Sequence, residues 1–495
     1  NVATVSFPSA IASNSWAMLG KDQYHTSFAA NIAGPTALGA AISWWFDAES
    51  GNTTTSPPLA NVFRSNQISA PCGNGGDNIR LYDFNQVSRG AFPCAGGAGT
   101  WAGYFDSSFN NTTFTEFEQV GTLPCGTFEE CSAAPTTLST AEVVLRADGW
   151  TAPPAGSVGN AVVSADGDIY FGASDGSSHK LIKLNKNGAK QWEYASNVSI
   201  GTPAVLSDET VYFGRIGAGG ALAFTALNPD GSKKWDYDDA SSVQAITVSL
   251  KGKPYLTYSS GSDKLAVLNT DGSAKTVVSN PGLSGFVPVV LENGNIIAAR
   301  RVSGNQFFTA YSADGSQLWD LAYTGANGSI QSNPSYDKTT GKTYSAVGHD
   351  GGSSFGLRMF SVPSDGSVLN TTVINPVSNG SGATMVSITP TKLLVGLDYS
   401  WANPASGSKL FSLNKSDLTV NWTFQAEGKI NQQIAVDKDG HAYFSTQSGH
   451  IYSVDPDGHE RWHISTGVSS TISPVLTENG IVWGYGNRLT GIGVK

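Results

Sequence analysis

The feature that most constrains this chain is a short unit that recurs along most of its length, shown best by residues 437–462. Two Asp-x-Asp-Gly sequences, ending at Gly440 and Gly458, form tight turns because glycine accepts positive φ and aspartate hydrogen-bonds its own backbone. Short β-prone runs flank these turns, and Trp462 marks the last run. With residues 433–436 as an inner strand, the unit is predicted to be one blade of a β-propeller.

Turns of this kind return about every 40–50 residues, which is the length of a four-stranded blade. They lie at Gly188, Gly231, Gly272, Gly315, Gly366, Asp417 and Gly458. Tryptophan follows most of these turns, and in the third repeat Val277 is predicted to take its place.

An eighth repeat starts at residue 474 and stops at Lys495 without an outer strand. Because closing a ring removes exposed sheet edges, a strand from the N-terminal region is predicted to complete this blade. Residues 41–46 are the first choice for that strand, and residues 142–146 are the alternative. The chain is therefore predicted to be all-β, a single propeller of eight four-stranded blades, or of nine if residues 55–107 form a blade of their own.

The predicted domain organisation has two parts. Residues 1–40 form an N-terminal β-like arm and a lead-in segment, and residues 41–495 form the propeller. An irregular insertion at about 60–155 interrupts the repeats and carries all the cysteines.

The composition excludes several classes of function. The formal net charge is −10, so a basic surface for nucleic acid or anionic lipid is not expected. Charged residues make up only 14 %, against about 25 % in ordinary soluble domains, which indicates a neutral exterior. No apolar run of about 18 residues is present, so no membrane span is predicted. The first residue is Asn1 rather than Met, which fits a processed, secreted protein.

The cysteines and the glycosylation sequons also favour an extracellular protein. The four cysteines are Cys72, Cys94, Cys125 and Cys131. Loop length favours disulfides Cys72–Cys94 and Cys125–Cys131, and four free thiols are the alternative. Asn-x-Ser/Thr sequons, the sites of N-linked glycans, occur at Asn52, Asn110, Asn111, Asn197, Asn327, Asn370, Asn379, Asn414 and Asn421.

The order of motifs within each repeat is specific. A strand ending in Tyr-Phe-Gly, a second strand ending in Leu-Asn, an Asp-Gly turn and a tryptophan follow one another, as in residues 211–235. This order resembles the PQQ-like β-propeller repeat, clearly over residues 156–495 and loosely over 15–107. Trp16, Gly20, Asp22 and Thr26 resemble the start of a quinoprotein chain. The resemblance implies a propeller, as found in quinoprotein alcohol dehydrogenases and in non-enzymatic members such as the outer-membrane assembly lipoprotein of Gram-negative bacteria.

The resemblance assigns no catalytic residue. The dehydrogenases carry an adjacent Cys-Cys pair beside the quinone, and many carry a CxxCH haem motif; this sequence has neither. Their calcium ligands and catalytic aspartate cannot be placed by any motif. No cofactor is therefore predicted, with PQQ and calcium as the alternative.

Three further groups were candidates for a site. His441, His450, His459 and His463 cluster in sequence, but turns on opposite faces of the blade would separate them by about 17 Å, so surface histidines are predicted rather than a metal site. The Asp-Gly turns lack the donor run of a calcium loop. Glu116, Glu118, Glu129 and Glu130 have no spacing that indicates glycan cleavage.

The sequence thus predicts a secreted, glycosylated structural or interaction protein rather than an enzyme. Val2, Val5 and Phe7 belong to an alternating arm that is predicted to add as a strand to a neighbouring propeller, building an oligomer or filament. Its partners would be copies of itself or other extracellular proteins or glycans. The alternative is a PQQ- and calcium-dependent dehydrogenase or a polysaccharide-acting enzyme with its site on the propeller axis.

Overall fold

Eight antiparallel sheets of the repeat region form the blades of a β-propeller, and every regular element among the described residues is a strand. The computed structural model describes residues 15–35 except 20, 41–48, 51–55, ten strands between 41 and 147, and 156–493 with gaps at 217–223, 239–241, 260–261, 280–281, 284–286, 303–304, 324–331, 348–355, 377–379, 400–407, 432 and 466–468.

The first ten strands precede the regular repeats. They are β1 Ala41–Asp47, β2 Asn52–Thr55, β3 Asn61–Arg64, β4 Gln67–Ser69, β5 Asn78–Tyr82, β6 Ser88–Pro93, β7 Trp101–Ala102, β8 Tyr104–Phe105, β9 Thr113–Val120 and β10 Glu142–Ala147.

Blades 1 to 4 follow in chain order, each running from an inner to an outer strand. Blade 1 has β11 Ser157–Val158, β12 Val162–Val163, β13 Ile169–Ser174, β14 His179–Leu184 and β15 Lys190–Ser196. Blade 2 has β16 Ser199–Ile200, β17 Ala204–Val205, β18 Val211–Ile216, β19 Phe224–Leu227 and β20 Lys233–Tyr237. Blade 3 has β21 Ser242–Val248, β22 Pro254–Ser259, β23 Asp263–Leu268 and β24 Ala274–Ser279. Blade 4 has β25 Val289–Val290, β26 Ile296–Val302, β27 Asn305–Tyr311 and β28 Gln317–Tyr323.

Blades 5 to 8 repeat the pattern. Blade 5 has β29 Ser335–Asp337, β30 Lys342–Val347, β31 Gly356–Pro363 and β32 Asn370–Pro376. Blade 6 has β33 Gly380–Ala383, β34 Ser387–Ile388, β35 Lys392–Tyr399, β36 Ser408–Asn414 and β37 Val420–Ala426. Blade 7 has β38 Ala435–Val436, β39 Ala442–Ser445, β40 His450–Val454 and β41 Glu460–Ser465. Blade 8 has β42 Val475–Thr477, β43 Gly480–Tyr485 and β44 Arg488–Gly493.

Strand β1 pairs antiparallel with β44 and takes the outer position of blade 8. This is the place that the sequence assigns to residues 41–46; that the strand closes the ring stays a prediction. The alternative segment lies in β10, which pairs with β3 and β9 rather than with β44. Strands β4, β5, β6 and β8 form a separate sheet, so the blade count is eight and not nine.

Neighbouring blades pack through one tryptophan and one turn glycine. Gly458 has a φ of 91°, and a Cβ on it would lie 2.7 Å from the Trp422 ring of the preceding blade, so only glycine fits. The Trp422 indole donates a hydrogen bond of 2.7 Å to the Pro456 carbonyl. The same contacts pair Trp192 with Gly231, Trp235 with Gly272, and Trp319 with Gly366. These tryptophans therefore pack between neighbouring blades.

The third blade shows one prediction to be wrong. Val277 was expected in the place of tryptophan, but Thr276 is the residue that packs beneath Gly315 of the next blade. Thr276 pairs with Val267 as Trp235 pairs with Ala226, whereas Val277 is 39 % exposed. A β-bulge residue precedes the tryptophan position in this strand, so counting by strict alternation misplaces it.

Blades 1 and 2 are also joined by a buried ion cluster. The Lys183 ammonium lies 2.9 Å from Asp168 and 2.8 Å from Glu209, and its side chain is only 8 % exposed. Burial alone would lower the pKa of Lys183, but the hydrogen bonds to Glu209 and Asp168 outweigh it and raise that pKa.

Candidate functional site

The axis of the propeller is where the chain departs most from its repeats. Residues 15–35, called here the axial segment, hydrogen-bond in order to blades 1 to 7. Carbonyl oxygens of the segment accept the N–H of corresponding inner-strand residues, 2.8–3.2 Å away: Trp16 from Val163, Ala17 from Val205, Gln23 from Val290, Tyr24 from Tyr336, Thr26 from Ile388 and Ser27 from Val436. In blade 3, Leu250 N–H donates instead to the Gln23 side chain, at 2.6 Å.

The axial segment needs an irregular backbone to contact the seven blades one after another. Lys21, His25 and Ser27 have φ values of 78°, 56° and 53°, a region that residues other than glycine seldom occupy. The Asp22 carboxylate supports the bend, because it accepts the N–H groups of Tyr24 and Thr26 and the Thr26 hydroxyl. Strained residues of this kind persist only where surrounding contacts determine the conformation.

His25 lies at the centre of the segment and is fully buried. Its Nδ1 lies 2.8 Å from the Pro334 carbonyl, which can only accept, so Nδ1 carries the proton of the neutral ring. Its Nε2 is buried without a hydrogen-bond partner. Burial lowers the pKa of His25, although the Pro334 carbonyl and Asp22 act in the opposite direction.

Asp437 of blade 7 anchors the end of the segment. Its carboxylate is fully buried and accepts five hydrogen bonds of 2.9–3.0 Å, from Gly34 N–H, Asp439 N–H, His441 N–H, the His441 ring and the Tyr443 hydroxyl. Burial alone would raise the pKa of Asp437, but the hydrogen bonds from His441 and Gly34 hold it below its ordinary value. The Asp437 carboxylate therefore acts as a fixed anion that clamps the axial segment.

A central cavity of about 450 Å³ lies beside the axial segment, whose Leu19 forms part of it. Its described lining is aliphatic or neutral polar, and the inner strands of blades 1 to 6 and residues 471–472 contribute it. The polar groups largely join blades to one another: Asn160 accepts from Ser473 N–H at 3.1 Å, and Asn333 accepts from Val287 N–H at 2.8 Å.

Comparison with known proteins supports the propeller assignment. A family model described as "Outer membrane protein assembly factor BamB" matches residues 146–321, which contain blades 1 to 3 and most of blade 4. This chain is a PQQ-like β-propeller. No curated protein sequence matches it.

Solved structures share the fold of this PQQ-like propeller. BamB from Moraxella catarrhalis is 14 % identical, with 68 % of this chain and 95 % of that chain covered and a TM-score of 0.50. The quinohemoprotein alcohol dehydrogenase from Comamonas testosteroni is 12 % identical, with 98 % and 81 % covered and a TM-score of 0.41. At 14 % identity the likeness to BamB shows the fold alone.

The described lining of the cavity does not fit the calcium ion that accompanies the quinone in such enzymes. Calcium in proteins takes six to eight oxygen ligands, several of them carboxylates. None of the described residues that line the cavity carries a charge, and Asn160 already uses its amide oxygen within the ring of blades. We therefore derive no chemistry from that cofactor.

The histidine prediction is wrong for two of its four residues. His450 and His463 are 7 % and 1 % exposed, and their ring centroids lie 5.7 Å apart. They meet because His463 pairs with Tyr452, two residues from His450, so both rings lie on one face of the blade. His459 is at the surface, with 78 % of its side chain exposed.

Metal-ligating groups come together once among the described residues, at Asp437, Asp439 and His441. The five hydrogen bonds to Asp437 already occupy its oxygens, since a carboxylate offers about four lone-pair positions. In the Asp-Gly turns, the carboxylates of Asp230, Asp271 and Asp365 accept N–H groups of their own turns. These hydrogen bonds within the turn explain why the same turn geometry is repeated from blade to blade.

Most other predicted site residues lie outside the described residues. These are the four cysteines, Val2, Val5, Phe7, Glu129, Glu130, and the sequons Asn110, Asn111, Asn327 and Asn379. Asn52 lies in β2, and Glu116 and Glu118 lie in β9. Asn197, Asn370 and Asn421 are exposed, while Asn414 is half-buried and its amide donates to Thr419 at 2.9 Å.

The residues that hold the axial segment, above all Gln23, His25 and Asp437, were not predicted to act together. Asp437 looks like an ordinary turn residue in sequence, and Gln23 and His25 belong to no repeat. The only local signal is Asp22 followed by Thr26, a spacing that suits a side-chain cap on a bend. In the part of the chain that the structure describes, no helix is long and apolar enough to cross a membrane.

Proposed function

We propose that this PQQ-like propeller is a secreted, glycosylated structural or interaction protein, and that its N-terminal arm joins it to a neighbouring copy. The observation that carries this proposal is the hydrogen bonding of the axial segment to seven blades. The segment occupies one end of the axis with the chain's own backbone, and it fixes the root of the arm at Ser15.

The arm has the length to leave its own propeller. An extended chain rises about 3.3 Å per residue, so the fourteen residues before Ser15 span about 46 Å. Four strands about 4.8 Å apart place the outer strand of a blade about 14 Å beyond its inner strand. An arm rooted beside the inner strand of blade 1 can therefore reach beyond the rim to a second copy.

The chemistry of the arm suits strand addition. Residues 2–7 alternate without a single charge, and Ala3, Val5 and Phe7 would share one face of a strand. A strand added to a sheet gains main-chain hydrogen bonds, and its alternate side chains give specificity. The name of the matching family, an outer membrane protein assembly factor, is in line with a protein-binding role.

The proposals of secretion and glycosylation rest on the composition of the chain and on the exposure of three sequons. The low content of charged residues, the four cysteines in one region and the exposed sequons Asn197, Asn370 and Asn421 support an extracellular location. A protein–protein contact made by an uncharged strand would also tolerate the variable ionic strength outside a cell.

The test compares the assembly state of three full-length variants with that of the parent by light scattering. Deletion of residues 1–8, and Val5→Asp combined with Phe7→Asp, are expected to give monomers with an unchanged melting temperature. Asn1→Asp combined with Ser9→Asp adds the same charge outside the strand and should assemble like the parent. A parent that is monomeric, or an assembly state unchanged by the deletion, would refute the proposal.

A further inference from the structure

The outer strand of each blade is the edge of its sheet. In blades 1 to 7 no described strand pairs with the free side of that edge, whereas in blade 8 the outer strand β1 pairs onward with β2 and β3. A free edge exposes a row of backbone N–H and C=O groups and so invites pairing with any other strand. Natural proteins prevent this with charged side chains, bulges or covering groups. Edges that no other strand covers therefore need protection; in blade 7, strand β3 already lies against β41.

Five of the seven edges carry charged residues. These are Lys190 and Glu193 in blade 1, Lys233, Lys234 and Asp236 in blade 2, Lys275 in blade 3, Asp320 in blade 4, and Glu460 and Arg461 in blade 7.

Three of these charges share one structural position. Lys234, Lys275 and Arg461 are each the extra residue of a β-bulge, immediately before the position of the packing tryptophan. A cation on a bulge blocks an edge in two ways, because the bulge disturbs the ladder and the charge resists burial. At Arg461 the bulge is the main device, since its guanidinium donates to the Tyr443 and Ser453 hydroxyls of its own blade.

The two remaining edges, β32 of blade 5 and β37 of blade 6, contain no charged residue at all. Each of them instead carries an exposed glycosylation sequon, Asn370-Thr-Thr and Asn421-Trp-Thr. Asn421 is the bulge residue of β37, so it occupies the position that holds lysine or arginine in blades 2, 3 and 7.

Exposed apolar side chains lie at both of these edges, as they also do at the charged edges of blades 3 and 4, where Val277 and Leu318 are 39 % and 49 % exposed. Val368, two residues before Asn370, is 46 % exposed, and Val420, next to Asn421, is 43 % exposed. An uncharged edge strand with exposed valine is a site where aggregation is expected.

We propose that N-linked glycans on Asn370 and Asn421 shield the outer edges of blades 5 and 6, in place of the charges that protect the other blades. The inference rests on the secretion and glycosylation in the proposed function. The donor is an oligosaccharide linked through diphosphate to a lipid: the Asn Nδ2 bonds to C1 of the first sugar, the C1–O bond to the diphosphate breaks, and Nδ2 releases one proton to a base of the transferase.

A glycan suits this task for a physical reason. It is bulky and strongly hydrated, so a second strand cannot approach the edge without displacing it. Shielding of the outer edges of the blades would prevent one propeller from pairing with another edge to edge. Copies would then associate through the N-terminal arm.

The experiment uses the chain without residues 1–8, secreted from a eukaryotic host, so that the arm contributes no association. Mass spectrometry of its glycopeptides first gives the occupancy of Asn197, Asn370 and Asn421. Asn370→Gln combined with Asn421→Gln is expected to raise the rate of aggregation, measured by light scattering, at least tenfold. Asn197→Gln is the matched control, since that sequon adjoins β15, which keeps Lys190 and Glu193.

A second pair of variants separates edge protection from a defect in folding. Asn370→Lys combined with Asn421→Lys also lacks both glycans but restores a charge to each edge, so it should aggregate as slowly as the parent. Enzymatic removal of glycans from the folded parent should reproduce the glutamine variant.

The outcomes distinguish the two proposals. Absence of glycan from all three asparagines would overturn the proposed glycosylation and this inference together. Glycan present at Asn370 and Asn421, with aggregation unchanged in the glutamine variant, would overturn edge shielding alone. Equal aggregation of the Asn197→Gln variant, or of the lysine variant, would likewise overturn it.

Discussion

The indole Nε1 of Trp462 donates a hydrogen bond to the carbonyl of Pro35 at 3.3 Å, joining residues 427 positions apart. In four other blades the corresponding indole bonds to a turn of the next blade. Blade 8 has no such turn, because its outer strand β1 comes from the N-terminal region. Pro35 of the axial segment therefore replaces the missing turn.

Trp462→Phe is expected to loosen the end of the axial segment. It removes the bond to Pro35 and part of a fully buried ring, so the free energy of unfolding should fall by about 1–2 kcal/mol. Trp422→Phe is the control, because its lost bond to Pro456 lies between two blades. Hydrogen exchange of residues 28–35 should accelerate in the first variant only. Equal exchange in both would contradict the role given to Pro35.

Gly458→Ala is expected to destabilise the contact between blades 6 and 7. Its φ of 91° strains any L-residue, and the new methyl would lie 2.7 Å from Trp422. Together these effects should cost about 3 kcal/mol. Gly341→Ala is the control, since Gly341 has a φ of 68° but nothing within 4 Å of an added Cβ. It should lose only about 1 kcal/mol in denaturant unfolding; similar losses at both positions would argue against the tryptophan contact.

His25 should make the protein less stable in mild acid. Its pKa in the folded protein is below 6.5, so as the pH falls the unfolded chain takes up a proton that the folded chain refuses. The contribution of His25 to the free energy of unfolding is complete above pH 6.5 and is lost as the pH falls towards the pKa of the folded state. The free energy of unfolding then falls by up to about 1.4 kcal/mol per pH unit.

The measurement is the free energy of unfolding of His25→Asn at pH 7 and pH 5. Asparagine tolerates positive φ and can donate to Pro334, so its loss of stability between the two pH values should be smaller than that of the parent. His459→Asn changes an exposed histidine and should behave like the parent. An unaltered pH dependence in the first variant would show that His25 is not responsible.

Lys183→Met should cost about 3 kcal/mol, because it leaves Asp168 and Glu209 without their shared cation. Lys190→Met, at a lysine whose side chain is 37 % exposed, should change stability by less than about 1 kcal/mol. Adding Glu209→Gln to Lys183→Met should recover part of the loss, as expected for coupled groups. Additive losses in the double variant would exclude the ion cluster as the cause.

Much of the fold could be predicted because its determinants are local. The turn at Gly458 and the anchor Trp462 lie within a few residues of each other, and their repetition indicates blades. Thr276 was missed because a bulge shifts the register by one residue, which strict alternation does not reveal. His450 and His463 were misplaced for a related reason: their contact depends on the register between two strands.

The axial segment could not be predicted from sequence. Its course depends on positive φ at Lys21, His25 and Ser27, and lysine and serine seldom adopt that conformation. The blade residues that bond to it, such as Val163 and Val436, are ordinary strand residues. Nothing in the sequence marks their N–H groups as partners of the segment. The clamp at Asp437 looks like the other Asp-Gly turns until Gly34 is placed beside it.

The course of the axial segment also has a consequence for biosynthesis. Residues 16–35 leave the ribosome before the blades do. Gly34 can bond to Asp437 only after a further 403 residues have been made, and Pro35 can bond to Trp462 only later still. Contacts of such separation are the slowest to form. The blades can therefore assemble in order during translation, while the end of the segment docks only after blade 7 has formed. Complete docking of the segment would then follow the formation of its last contacts, with blade 7.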